Sequence, residues 1–180
     1  MTPNDVLNFW FIESSPRNWF AKDAAYDAKI RERFSDTYRR IVRGETADWR
    51  ATPEGRLAEI IVLDQFSRNM FRGSREGFAH DDLALRLAQE AVASGDDKKI
   101  DRSRRRFLYM PYMHSESSEV HKKAVWLFAT LLPGGWMTLV YEFKHKRIID
   151  RFGRYPHRNA ILGRASTPEE IEFLKTHSGF

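Results

Sequence analysis

Apolar positions recur every three or four residues along most of this chain, and no stretch alternates with a period of two. That pattern predicts helices, each with one buried face. Thr2-Pro3 opens a short helix that runs through Phe9-Trp10-Phe11 and breaks at Ser14-Ser15-Pro16. Asp23 can cap a second, whose face is Tyr26, Ile30, Phe34, Thr37 and Ile41, with Gly44 as its stop. Glu45 to Ala51 reads as a connector with Trp49 plugged into the core. Thr52-Pro53 starts a long helix that Gly73 or Ser74 ends, and Ser74 opens a further segment through Phe78, Leu83, Leu87 and Ala91 to Gly95. Asp96 to Arg106 is polar and reads as an exposed loop. Phe107 to Glu116 is apolar around Pro111, which predicts extended chain or two short turns. Ser115 or Ser117 starts a helix through Val120, Ala124, Leu127 and Leu131, stopped by Pro133-Gly134-Gly135. Residues 136 to 152 form the next, with Tyr141, His145, Ile148 and Phe152 on one face and Gly153 as its cap. Ser166-Thr167-Pro168-Glu169-Glu170 starts a last short one. The expected fold is all-α: about seven or eight helices, mostly in antiparallel pairs on short connections, in a single domain over residues 1–180. The spacing is too irregular to decide between a helical repeat and a plain bundle.

The central helix carries charge where apolar residues belong. Ile60 to Leu63 are consecutive apolar residues, so this helix is greasy on nearly every side. At about 100° per residue, Asp64, Arg68 and Arg72 continue the stripe begun by Leu57 and Ile61. Gln65 and Asn69 run alongside. Charges on a burying face must be paired or must line a cavity. Asp64 four residues before Arg68 is a favourable pair, whereas Arg68 and Arg72 repel at the same spacing and call for a second anion. Two readings follow: a salt-bridge network holding helices together, or the lining of a ligand pocket.

Other clusters offer the same choice. His114-Ser115-Glu116 joins an imidazole to a carboxylate, which suits a general base and its orienter; helix capping with a hydrogen-bonded histidine serves equally. His145 lies on an apolar helix face, as a core histidine or as a pocket residue. Arg151 to Asn159 packs Arg151, Arg154, His157, Arg158 and Asn159 around Gly153 and Pro156, with Arg164 close behind. Guanidiniums there can clamp a carboxylate or phosphate, or bind helix-end carbonyls and Asp64, Asp81 or Glu116. Arg158-Asn159 echoes Arg68-Asn69, which would set two such pairs around one pocket.

Composition narrows the classes. Thirty Lys and Arg against 25 Asp and Glu give a net charge of +5, a mild preference for anionic partners. There is no cysteine, which removes disulfide and thiolate chemistry and suits the cytoplasm. No apolar run spans a membrane and no signal peptide opens the chain. No Gly-rich phosphate loop, GxSxG elbow or paired His/Asp metal signature occurs, so no metal ligand and no cofactor is assigned. Arg102, Arg104, Arg105 and Arg106 read as a solvated basic loop rather than a nucleic-acid surface.

LAEIIVLDQFSRNMFRG, FAHDDLAL, MPYMHSE and RFGRYPHRNAILGRASTPEEIEFL closely resemble the bacterial family of domain of unknown function 924, with VLNFWF near the start and Trp19-Phe20 also matching. The resemblance covers nearly the whole chain and implies a fold similar to tetratricopeptide-like helical proteins. The family's motif positions fall here on Asp64, Gln65, Arg68, Asn69, Arg72, Asp81, His114, Ser115, Glu116, His145, Arg151, Gly153, Arg154, Pro156, His157, Arg158, Asn159 and Arg164. Val120-His121 stands where members commonly have Gln, and the run from Arg102 to Arg106 departs from the family. The resemblance carries no activity with it.

The leading expectation is a buried, Arg-rich pocket for a small anionic metabolite, with hydrolytic or acid–base chemistry. Arg68, Arg72, Arg154 and Arg158 would hold the anion, with Asp64, Gln65, Asn69, His145 and Asn159 lining the pocket. His114 or His157 would move the proton, oriented by Glu116 or Asp64. The alternative is a helical scaffold that receives a peptide or protein in a long groove.

Overall fold

The structure, a computed structural model, describes residues 1–177, and every regular element among them is helical. α1 (Pro3–Asn8) runs into a π-turn (Phe9–Glu13), followed by α2 (Pro16–Phe20) and α3 (Ala24–Val42). α4 (Pro53–Ile61), a π-turn (Val62–Phe66) and α5 (Ser67–Met70) make one unbroken rod over 53–70. Then come α6 (Asp81–Ala93), α7 (Arg102–His114), α8 (Ser118–Ala129) and α9 (Trp136–Phe152), and the short α10 (Asn159–Leu162) and α11 (Pro168–Leu174). The all-α expectation holds. The described segments outnumber the expected seven or eight because the central rod divides at its π-turn and α2 and α10 are single turns.

Local signals placed most ends correctly. Thr52 Oγ accepts from Gly55 N with Pro53 in the first turn, Asp23 caps α3, Ser117 caps α8, and Thr167 and Glu170 form a reciprocal capping box. Gly153 ends α9 at φ 68°, in the left-handed region that glycine enters without steric cost.

Two expectations fail around Pro111. Asp96–Lys99 is a 3-10 turn with Asp97 buried, and α7 begins at Arg102, so 96–106 is no exposed loop. α7 then continues through Pro111 to His114 instead of breaking into turns. An interior proline costs a helix about 3 kcal/mol. Phe107, Leu108, Tyr109, Met110, Tyr112 and Met113 are all buried, at roughly 1.5–3 kcal/mol for each large apolar side chain, and that outweighs the cost. The arginines of this run hold the fold. Arg102 donates to the carbonyls of Thr130 and Leu132, Arg105 to those of Lys98 and Ile100, and Arg104 and Arg106 stack on Phe11 and Trp19. In α9, Tyr141 faces outward, and the buried line is Glu142, His145, Ile148 and Ile149.

The rod 53–70 is the centre. α4 packs on α1, α6 and α7, while α5 and the π-turn pack on α3. Consecutive helices α6, α7, α8 and α9 each pack on the next. Phe9, Trp10, Phe34, Phe66 and Phe107 interlock by edge contacts in the main core. A smaller cluster of Ile148, Ile149 and Tyr155, with Phe152 and Phe173, seats the C-terminal segment.

Trp49, buried as expected, carries a tight contact. A Cβ on Gly55 would lie 1.9 Å from the Trp49 carbonyl oxygen. Gly55→Ala should therefore destabilise the fold by about 1–3 kcal/mol, as overpacking against backbone does. An unchanged urea midpoint would contradict the packing of α4 on its connector.

Candidate functional site

Asp64 sits inside the π-turn of the central rod, and its side chain is fully buried. A carboxylate there must be satisfied by the protein. His114 Nδ1 lies 2.6 Å from one of its oxygens, and Gln65 Nε2 donates to the other at 2.5 Å. Arg68 donates to the Asp64 backbone carbonyl at 2.6 Å and stands 3.4 Å from the carboxylate. Burial pushes the carboxyl upward, but His114, Arg68 and Gln65 together hold it well below the usual carboxylate range. Burial also moves His114, downward, against the pull of Asp64. At neutral pH Asp64 is ionised and His114 neutral. The imidazole therefore carries its proton on Nδ1, facing Asp64, and its lone pair on Nε2.

The cluster continues across Asp81. Arg68 Nη2 and Arg158 Nη1 approach the same Asp81 oxygen at 3.0 and 3.3 Å. Arg158 is buried between the rings of Tyr155 and Phe78, its guanidinium 4.6 and 4.8 Å from their centroids. Its Nε and the second oxygen of Asp81 have no partner. A pocket of about 320 Å³ opens here, lined by His114, Arg158, Asp81, Phe78, Pro111 and Leu162 among others, with Arg75 and Asp82 also in its wall. Pro111 thus forms wall where α7 brings His114 in. Among the described residues no three of His, Cys, Asp and Glu are grouped as a metal ion would require.

Of the expected residues, Asp64, Gln65, Arg68, His114 and Arg158 converge, and His145 lies next to them, its ring 6.4 Å from that of His114. Others face elsewhere. Asn69 and Arg72 both bind Asp27 of α3, because the π-turn rotates α5 out of the stripe that an even helical pitch predicts. Arg154 and Asn159 bind Glu170, so only the arginines of the two Arg-Asn pairs meet. Glu116 does stand in the pocket wall but does not orient His114; it accepts from Arg164 and from the Tyr155 backbone N–H, tying the C-terminal segment to the connection between α7 and α8. His157 packs 5.4 Å from Tyr155.

Sequence reasoning missed a second buried pair. His121 Nδ1 is 2.7 Å from Glu142, both are fully buried, and His121 Nε2 donates to the Ser115 carbonyl at 2.9 Å. Burial raises the Glu142 carboxyl, against the pull of the His121 contact. The signal was present: Glu142 falls with His145 and Ile149 on one helical line. Tyr155 joins the two halves, its hydroxyl donating to Met113 O at 2.5 Å, with the rings of His121, His145 and His157 around it.

Residues 6–178 match the model of a family described as bacterial protein of unknown function, DUF924. The chain belongs to that family. It is also similar to the solved structure of the protein of unknown function ATU0120 from Agrobacterium tumefaciens, with 38% identity, a TM-score of 0.90 and 97% of each chain covered. No curated protein matches it. The segments quoted above for their resemblance to this family carry Asp64, Asp81, His114 and Arg158.

Burial depresses His145 to about 3 and His157 to about 4 from an ordinary 6.5. A histidine lowered on folding makes the unfolded chain the first to take up a proton as pH falls. Stability should therefore decline from about pH 6.5 toward pH 4, above the range in which the depressed Asp64 protonates. Melting temperatures across that range test this, and His145→Gln should flatten part of the decline. A flat wild-type profile would contradict it.

Proposed function

We propose that the pocket beside His114 binds a small molecule carrying an anionic group, and that His114 exchanges a proton with it. The observation that carries this reading is the buried Asp64–His114 contact at 2.6 Å, with His114 in the pocket wall beside Arg158. An ionised carboxylate on Nδ1 fixes the tautomer and stabilises the imidazolium that forms when Nε2 takes a proton. Arg158, buried and with its Nε unpartnered, is the group for the anion. The free oxygen of Asp81 suits a hydroxyl or amine on the same ligand.

Charge makes the reading specific. Two guanidiniums, Arg68 and Arg158, balance two carboxylates, Asp64 and Asp81, while His114 is neutral. An arriving anion unbalances the cluster by one charge, and protonation of His114 restores it. Attack by water or by a ligand hydroxyl on a carbonyl or phosphoryl centre is the chemistry such a base serves. The compact pocket favours a small molecule over the long groove that a peptide scaffold requires.

Calorimetric titration with a panel of small carboxylates and phosphate esters, in buffers of different ionisation enthalpy, tests this. A binding member should bring about one proton per ligand. His114→Gln should abolish that uptake and leave the fold intact, and Arg158→Gln should abolish binding. Failure of the whole panel to bind, or binding untouched by Arg158→Gln, would sink the proposal. Asp64→Ala is expected to unfold the chain in part, since leaving a buried partner unpaired costs roughly 3–5 kcal/mol.

A further inference from the structure

Helix α9 turns Glu142, His145, Ile148 and Ile149 inward onto α8 and α7. Its opposite side carries a second stripe. Trp136, Val140, Phe143 and Arg147 follow one another at spacings of four, three and four residues, within a narrow sector of the helix. Trp136 is 57% and Phe143 52% exposed, Val140 is half-buried, and Arg147 is exposed with no ion pair among the described residues. Met137 lies beside the stripe with Lys144 and is exposed as well. Most other outward residues of this chain are charged or polar, so six large apolar side chains exposed between Trp126 and Phe143 stand apart.

The spacing is that of a coiled-coil seam, and it reads the same in both directions. Two copies of α9 laid antiparallel about a two-fold axis between residues 141 and 142 meet in register. Trp136 then faces Arg147 of the other copy, and Val140 faces Phe143. The first pairing sets a cation over an indole face, the most favourable ring for it, and the second sets apolar against apolar. Each occurs twice by symmetry. None of the four is a carboxylate, and Asp150, the next position along the line, is already held by Lys146 and Ser118. A surface that is aromatic at one end, cationic at the other and symmetric in spacing is complementary to itself. We propose that this face is the interface of a two-fold dimer, its occupant a second copy of the same chain.

The absence of cysteine makes the register directly testable. At a rise of about 1.5 Å per residue, antiparallel copies of residue 140 lie roughly 5 Å apart along the axis, and copies of residue 136 roughly 16 Å. Val140→Cys should therefore oxidise to a covalent dimer and Trp136→Cys should not. Sedimentation equilibrium of the full chain should give a dimer in the micromolar range. Phe143→Asp, a change at an exposed position that leaves the melting temperature intact, should weaken it about a hundredfold or more. A wild-type monomer at about 100 µM would overturn the proposal. So would a dimer that survives Phe143→Asp, or cross-linking through residue 136.

Discussion

A carboxylate enclosed at the centre of a helical bundle has to be neutralised by groups that the fold brings to it. Asp64 sets that requirement here. The π-turn around it releases the rod from an even pitch and lets one face supply Asp64 and Arg68 while the next turn sends Asn69 and Arg72 to Asp27. α7 must then arrive at a depth that puts His114 against Asp64, and it does so through a proline that a less buried helix would not tolerate. Such a pair contributes little net stability, because both partners lose their water. What it secures is the orientation and tautomer of one imidazole.

The remaining motif arginines follow a consistent logic. Arg72 goes to Asp27, Arg154 to Glu170, Arg164 to Glu116, and Arg68 and Arg158 share Asp81. Two of these contacts, Arg164 to Glu116 and Arg158 to Asp81, fasten the segment after α9, which has only a small apolar cluster of its own, to the rest of the molecule, and Arg154 to Glu170 braces it internally. Most of the arginine-rich motifs are therefore spent on holding helices and segments together. Most of these arginines build walls, and among them Arg158 combines burial with an unpartnered nitrogen.

How much of this was legible can be judged residue by residue. Asp64 and Arg68 on an apolar stripe announce a buried polar cluster, and of the two histidines open as its partner, His114 and His157, it is His114 that touches Asp64. Of the two readings open for Glu116, orienting His114 or binding an arginine of the 151–164 cluster, the second holds, because adjacency in sequence to His114 says nothing of direction. Arg72 and Asn69 were placed by an even helical period, which a π-turn breaks and which no local residue preference announces. The Pro111 segment failed for the opposite reason: the local rule was sound, and burial of its apolar neighbours on all sides overrode it.

By itself the sequence determined the helical class, the caps and stops of most elements, and the need for ionised groups in the interior. These follow from contacts between residues three or four apart and from the cost of desolvation, both readable locally. Only the tertiary structure decided which cation answers which carboxylate. The deciding pairs lie 50 residues apart for Asp64 and His114, 48 for Glu116 and Arg164, 45 for Asp27 and Arg72, and 77 for Asp81 and Arg158. Every arginine is chemically equivalent at that range, so the choice belongs to the packing angles of the helices that carry them.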